Sequence, residues 1–443
     1  MYKNSNILIK TRKDAFKIID YAIEKSSVES VFEQCIDLTK DQFCVNGKIY
    51  GLNKYKNIYV IGFGKASAAM AVSLENILGN YITAGYVITK YGHSRKTEKI
   101  KIVEAGHPIP DKNGIKHTKQ LAEFLKKSDK DDLVICLLSG GGSSLLIYPE
   151  DNVTLEDKQK ITAMLLACGA EIKEINTIRK YLSKVKGGGL LNYIYPAECL
   201  SLIVSDVIGN DLETIASGPT VFQSKVSNSD CLTIFKKYNL LNKIFSNKKL
   251  KKLFTENFNK TAVNYHPKIE NIILINNQIT LAAAKKKAES LNYNTIILSS
   301  EICGDTTESA NFHYAIAKEI FYNNQPLQKP ACIISGGETI VKLKGNGKGG
   351  RNQEFTLAAV LNIQNKERIT IASIGTDGTD GPTDAAGAIA DYQTLKRAKS
   401  LNLNPSKFLN SNDSYTFFKK LNDLIITGPT GINVMDLRLF LIY

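Results

Sequence analysis

A lysine placed directly after a glycine pair is the first residue in this chain of 443 that invites chemistry. In "NIYVIGFGKAS" the apolar run 58–61 reads as a buried strand, Gly62-Phe63-Gly64 as a turn, and a helix is expected from about Lys65. That is the layout of a nucleotide-binding strand-to-helix turn. Lys65 would then lie in the first helical turn, beside the positive end of the macrodipole. A cation is unfavourable there unless an anion lies between the two; the competing reading is a solvated surface lysine. A dinucleotide fingerprint needs a third glycine and an acid after the next strand. Here Ser67 replaces that glycine, and "GYVITKYG" ends in Lys90. Lys90 and Arg95 would suit the extra phosphate of NADP, so an oxidoreductase stays in view.

A second loop has similar character. "LVICLLSGGGSSLL" runs from an apolar strand into Ser139, Gly140, Gly141, Gly142, Ser143 and Ser144. A nest of N–H groups at a helix start suits phosphate or carboxylate. The stretch is neither a Walker A loop nor a nucleophile elbow. The histidines are His93, His107, His117, His266 and His313, and only His107, in "AGHPIP", falls in a strand-end loop. Fixing the loop before Pro108 and serving a site are equally open for it. In "EINTIRKYLSKVKGGGL", Asn176, Arg179, Ser183 and Lys186 follow at steps of three, four and three, which places all four on one helical face. This stripe is expected to wall an anion site; a plain outward surface is the alternative.

Acids gather at the same kind of loop. Asp206 ends the strand in "LSLIVSDVIGND", Glu338 and Arg351 flank "TIVKLKGNGKGG", and Asp377, Asp380 and Asp384 punctuate "GTDGTDGPTDAAG". A carboxylate at a strand tip beside phosphate loops is a common way to hold Mg2+. Asp206 and Asp377 are the metal candidates, although Asp and Gly at such positions also make ordinary turns.

The elements that must position these loops alternate. Strands are expected at 57–61, 84–89, 100–104, 132–138, 199–205, 271–276, 294–298, 331–335, 339–344 and 368–374. Helices are expected at 64–78, 114–127, 155–168 and 278–291. Such alternation predicts an α/β chain with a Rossmann-like N-terminal domain built on a parallel sheet. The close succession of 331–335 and 339–344 predicts a hairpin, hence a mixed sheet in a smaller C-terminal α/β domain. The poorly alternating stretch 236–270 suggests domains of 1–265 and 266–443. Glycines cluster after strands, where ligands of open α/β sheets bind and where backbone N–H groups approach anions.

Composition sets the frame. The chain is 43% hydrophobic and 23% charged, ordinary for a globular protein. Its start is polar, without an apolar signal core, and no apolar run reaches the roughly 18 residues of a membrane span. Eight cysteines without a CxxC suggest reduced thiols and a cytoplasmic protein. The net charge of +14 follows a Lys-rich composition spread along the chain, with no aromatic-plus-Arg platform, so no nucleic-acid partner is expected. Small-molecule substrates are expected instead, and a homodimer is one reading of the assembly.

Taken in order, "GFGKAS", "AGHPIPD", "LLSGGGSSLL", "EINTIRKYLSKVKGG", "SDVIGNDLETIASGPT", "SGGETIVKLKGNGKGGRNQE", "GTDGTDGPTDAAGA" and "TGPTGINVMDL" resemble one family, the glycerate 2-kinases whose C-terminal part is the MOFRL domain. The resemblance runs from about residue 60 to 437. It implies ATP- and Mg2+-dependent phosphorylation of D-glycerate at the 2-hydroxyl, with the site between the two domains. Lys65 and Arg351 match the family's proposed catalytic lysine and arginine. Beside them, Gly64, Ser139, Gly140, Gly141, Gly142, Ser143, Asn176, Arg179, Lys186 and Glu338 are the expected substrate- and phosphate-binding residues. Members have also been labelled hydroxypyruvate reductases, which keeps an NAD(P)H-dependent reductase as the alternative. Tyr181 departs from the family, standing where many members have His.

Overall fold

The structure, a computed structural model, describes residues 6–222, 226–255 and 268–443. Two compact units emerge. One comprises Phe32–Ser205 and Asn210–Leu274; the other comprises Ile275–Tyr443 with the N-terminal segment up to Val31 and Asp206–Gly209. The expected boundary at 265/266, like His266, lies outside the described residues.

The first unit is built on a six-stranded sheet. Its order is Ile100–Ala105, Ala84–Lys90, Asn57–Phe63, Asp132–Leu138, Glu198–Val204 and Ile269–Ile275. The first five strands pair in parallel. "DLVICLL" is buried at every position, as a central parallel strand covered on both faces must be. Its companions also carry Val, Ile and Leu, which pack well on a pleated, covered surface. The expected N-terminal Rossmann-like layout is therefore present. A small antiparallel meander, Ile36–Thr39, Gln42–Val45 and Lys48–Gly51, was not evident in the sequence pattern because its strands are only four residues long.

The second unit carries a mixed sheet ordered Asn294–Ile297, Ala331–Gly337, Asp436–Ile442, Ile369–Gly375, Gly387–Asp391 and Leu424–Ile425. Only the first pair is parallel. The mixed sheet was expected, but its hairpin was not where the sequence suggested. Both edges of Ala331–Gly337 are taken by Asn294–Ile297 and Asp436–Ile442. The run 339–344 therefore has no edge to join. It is loop apart from one bridge, Asp305 with Ile340, and leaves Ile340 and Leu343 68% and 83% exposed.

Helix Asn6–Lys25 belongs to this second unit although it opens the chain. Its Ala15, Ile18, Ile19 and Ala22 are buried in one cluster with Leu281, Ala284, Ile334, Ile374 and Leu439. Its Arg12 is clamped by Asp391 and Asp423.

Candidate active site

In the first unit the two glycine-rich loops lock together. Gly64 has φ +136°, and a Cβ there would lie 2.1 Å from the Ser139 hydroxyl oxygen and 2.5 Å from the Ser139 carbonyl oxygen. Only glycine allows that approach. The backbone N–H of Lys65 donates to Gly140 O at 2.9 Å, and that of Ala66 donates to Ser139 Oγ at 3.0 Å. The helix begins at Ser67, so Lys65 precedes it and does not occupy its first turn. The reason is the positive φ of Gly64 and the hold of Ser139 on Ala66, which delay the helix by about a turn's half.

Lys65 has company. Gly141, at φ +81°, lies so close to His107 and to the Lys65 stem that a Cβ would be 2.9 Å from His107 Nε2 and 3.1 Å from Lys65 Cγ. His107 is thus beside the lysine, and burial, then Lys65, Lys90 and His93, push its pKa down to about 4. A neutral imidazole beside the lysine at neutral pH keeps that loop from holding one further positive charge.

Asn176, Arg179 and Lys186 meet on the other side of the serine–glycine loop, though not by the expected geometry. The helix is Ile172–Tyr181 and stops there. Ser183 pairs with Pro149 in a bridge, and Lys186 lies in the Gly-rich turn beyond. The single helical stripe is therefore replaced by a folded-back segment. Lys186 Nζ donates to Ser143 O at 2.7 Å. Arg179 reaches Asn176 Oδ1 at 3.4 Å. Burial depresses the pKa of both cations, and in Lys186 the neighbours Lys158 and Arg179 add to it.

One member of this group was missed. Ser217 Oγ lies 2.9 Å from Ser143 Oγ and donates to Asn176 Oδ1 at 3.4 Å. It stands in a turn where Ala216, Ser217 and Gly218 all have positive φ, at +52°, +65° and +61°. Two consecutive left-handed non-glycine residues cost of order 1–3 kcal/mol each and mark places where the surroundings dictate conformation. "ASGPT" held the signal as a turn sequence, but nothing in it said which helix the turn would meet. Tyr181, by contrast, is a core residue. Its hydroxyl donates to Leu253 O at 3.0 Å and its ring stacks on Phe254.

In the second unit Arg351 is the first residue of helix Arg351–Val360. Its Nε donates to both carboxylate oxygens of Asp436, at 3.0 and 2.9 Å, and its Nη1 lies 2.8 Å from Glu338. Burial works against the guanidinium charge, but Asp436 and Glu338 outweigh it and raise the pKa. Asp436 is fully buried and also accepts from Asn352 Nδ2 at 2.8 Å and Arg438 Nη2 at 2.6 Å. Glu338, expected to bind phosphate or substrate, is placed as a counter-ion to Arg351. Asp436 and Arg438 were not singled out from the sequence. Two opposite charges inside "MDLRLFLIY" were the available signal, because charges in an apolar strand have to pair.

The metal candidates do not form a cage. Among the described residues no group of three or more His, Cys, Asp or Glu side chains could hold a metal ion. Asp377 Oδ1 accepts from the backbone N–H and the hydroxyl of Thr379, at 3.0 and 3.1 Å, in a tight turn. Asp206 directly follows the buried Ser205 beyond strand Glu198–Val204. Such single carboxylates fit Mg2+, which takes one or two from protein and the rest of its oxygens from phosphates and water.

A parallel sheet with glycine-rich loops at its strand ends, and a mixed sheet carrying a paired arginine, define an α/β protein with cations set in or beside its loops. Residues 331–436 match the model of the MOFRL family, and residues 14–253 match a model described only as a domain of unknown function, DUF4147. A D-glycerate 2-kinase of Thermotoga maritima is 40% identical over 431 residues, 97% of this chain and 99% of that protein. The crystal structure of a glycerate kinase from Thermotoga maritima superposes with a TM-score of 0.87 at 38% identity, covering 98% of this chain and 100% of that one. A protein of Agrobacterium vitis provisionally named hydroxypyruvate reductase is 38% identical over 387 residues, 86% of this chain and 98% of its own. The chain belongs to the glycerate 2-kinase family with a MOFRL domain. Among the described residues no helix is long and apolar enough to cross a membrane.

Proposed function

We propose that this protein transfers the γ-phosphoryl group of ATP to the 2-hydroxyl of D-glycerate, giving 2-phosphoglycerate and ADP. The observation that carries this reading is the pair of cations set in rigid glycine-rich frames, Lys65 by the Gly64–Ser139 lock and Arg351 by Asp436. Phosphoryl transfer asks for positioning and charge neutralisation more than for covalent chemistry. Lys65 and Arg351 stabilise negative charge on the phosphoryl group as it moves. Gly140, Gly141, Gly142 and Ser143 line the anion path beside Lys65, and Arg179 with Asn176 and Lys186 receives the carboxylate of the acid or a phosphate oxygen. Mg2+, held through Asp206 or Asp377 and the phosphates, would neutralise the triphosphate. The hydroxyl oxygen attacks phosphorus, the bond from phosphorus to the bridging β-oxygen breaks, and a carboxylate takes the hydroxyl proton.

The test is ADP release by the purified protein with ATP, Mg2+ and D-glycerate, with phosphorus NMR of the product. Turnover to 2-phosphoglycerate, lost by about a hundredfold or more in Lys65→Ala and Arg351→Ala, is the expected result. Normal turnover in both variants would remove the residue assignment. A 3-phosphoglycerate product would overturn the choice of hydroxyl. Absence of ADP together with NAD(P)H oxidation by hydroxypyruvate would establish the reductase instead.

A further inference from the structure

The helix that carries Arg351 starts on Gly350, a residue with no side chain to cap it. Two of its first N–H groups, those of Asn352 and Gln353, are nevertheless satisfied. Asp380, from the loop after strand Ile369–Gly375, accepts the backbone N–H of Asn352 on Oδ1 at 3.1 Å and that of Gln353 on Oδ2 at 2.9 Å. It also accepts Asn352 Nδ2 at 3.3 Å and Gln353 Nε2 at 2.9 Å. A helix start leaves four N–H groups without partners, and a side-chain oxygen at the N-cap position normally takes one or two. Here the carboxylate comes from another loop. A Cβ on Gly350 would fall 2.3 Å from Asp380 Cγ, and one on Gly381 would fall 2.3 Å from Gly349 O. The glycines therefore clear the space that the foreign cap occupies.

We infer that Asp380 is a positioning residue for the transfer reaction: it caps the helix from outside and so fixes the direction in which Arg351 is presented. This rests on the assignment of Arg351 given above. Asn352 links the two acids, donating 2.8 Å to Asp436 and 3.3 Å to Asp380 through the same amide nitrogen. Asp436 in turn holds Arg351 Nε. Loosening the cap thus frees both the backbone of Arg351 and its counter-ion. The charged groups facing Asp380 are Asp436, Arg351, Glu354 and Arg438. Burial first, and Asp436 as well, push the Asp380 carboxyl up to about 6, against the N–H groups of Gln353 and Asn352 and the charge of Arg351. Protonation would put a hydrogen among four donors, so the cap should loosen below that pH.

The test compares the full-length protein with Asp380→Asn, Arg351→Ala and the double variant, using ATP and D-glycerate as substrates. The expected result is a kcat lowered at least tenfold in Asp380→Asn with KM for both substrates within about threefold, and loss of the acid limb near pH 6. The double variant should be no slower than Arg351→Ala alone. A normal kcat in Asp380→Asn, or an equal fold-loss in both backgrounds, overturns the inference. A structural reading is checked without substrate by the 15N resonance of the Arg351 Nε–H group, identified by its absence in Arg351→Ala. It should shift in Asp380→Asn; if it stays in place, Asp380 does not position Arg351, whatever the kinetics show. Arg351→Ala with normal turnover alongside a shifted resonance would instead overturn the role of Arg351 and leave the cap standing. Should Asp380→Asn fail to fold, Gln353→Met removes one donor at similar volume, and a smaller shift of the same resonance is expected; its absence overturns the inference.

Discussion

The ammonium of Lys186 donates to the backbone carbonyl of Ser143 across 2.7 Å, in the interior, with Lys158 and Arg179 near enough to depress its pKa further. A buried amine among other cations sheds its proton unless an anion joins it, so the charged form of Lys186 calls for an anionic ligand in its surroundings. Lys186→Met keeps the stem and removes the charge. Its expected effect is a KM for the acid substrate raised tenfold or more, with a thermal midpoint equal to or above that of the natural protein. A lowered midpoint with unchanged KM would show that the ammonium serves the fold and not the ligand.

The lock between Gly64 and Ser139 predicts a sharp contrast between two glycines. Gly64→Ala would drive a Cβ into backbone and side-chain atoms of Ser139 while the residue sits at positive φ. Gly169 also has positive φ, at +73°, but nothing lies within 4 Å of where its Cβ would be. Gly169→Ala should therefore cost only about 1–2 kcal/mol, the penalty of a left-handed backbone. Gly64→Ala should cost more and should displace Lys65, abolishing most of the turnover. Urea denaturation and ADP release measure both quantities. Equal stability losses would mean that the two loops separate easily.

These contrasts show where the sequence was informative. The parallel strands were readable because runs such as "DLVICLL" have only one stable use, burial on both faces, and the glycine loops at their ends follow from that. The strand Asp436–Ile442 was hidden: Asp436 and Arg438 break its apolar run, and their pairing with Arg351 and Gly336 involves residues about a hundred positions away. A shorter but still non-local separation hid Asp380 as a cap. It reads as a turn residue locally, and its partners Asn352 and Gln353 lie on a helix 28 and 27 positions earlier. Ser217 shows the limit in another form, since its turn and Asn176 were each visible and their meeting was not. Position in a local pattern was legible; the meeting of loops was not.

His107 gives a pH dependence with a definite sign. Its pKa lies at about 4, below the ordinary value of 6.5, because burial and the charges of Lys65, Lys90 and His93 disfavour the imidazolium. The unfolded chain takes up a proton first as pH falls. Stability from this group is therefore complete above about 6.5 and is lost progressively down to about 4. His107→Gln removes the titration. Its unfolding free energy should change less across that interval than that of the natural protein, as read by denaturant melts at pH 7 and pH 4.5. Parallel losses in both proteins would show that other groups govern the acid limb.

Arg12 supplies the last prediction. It comes from the opening helix, and its guanidinium reaches Asp423 at 2.7 Å and Asp391 more closely still. All three side chains are almost wholly buried, at 4%, 2% and 0% exposure. Burial alone would lower the arginine pKa, but the two carboxylates raise it. Arg397 also contacts Asp423, so the acids keep one cation if Arg12 is lost. Removing one partner of a buried pair leaves charge without compensation and costs about 3–5 kcal/mol. Because Arg397 is present, Arg12→Ala should fall at the lower end of that range, and Arg12→Ala with Arg397→Ala well beyond it. Replacing both acids by Asn together with Arg12→Leu removes every charge of the clamp except Arg397 and should recover part of the loss. Since the helix also buries Ile18 and Ile19 against the sheet, the loss should appear as unfolding of the whole Ile275–Tyr443 unit and not as fraying of the first helix. Hydrogen exchange separates the two: protection lost across strands Ile369–Gly375 and Asp436–Ile442 supports a clamp on the unit, and protection lost only in Asn6–Lys25 contradicts it.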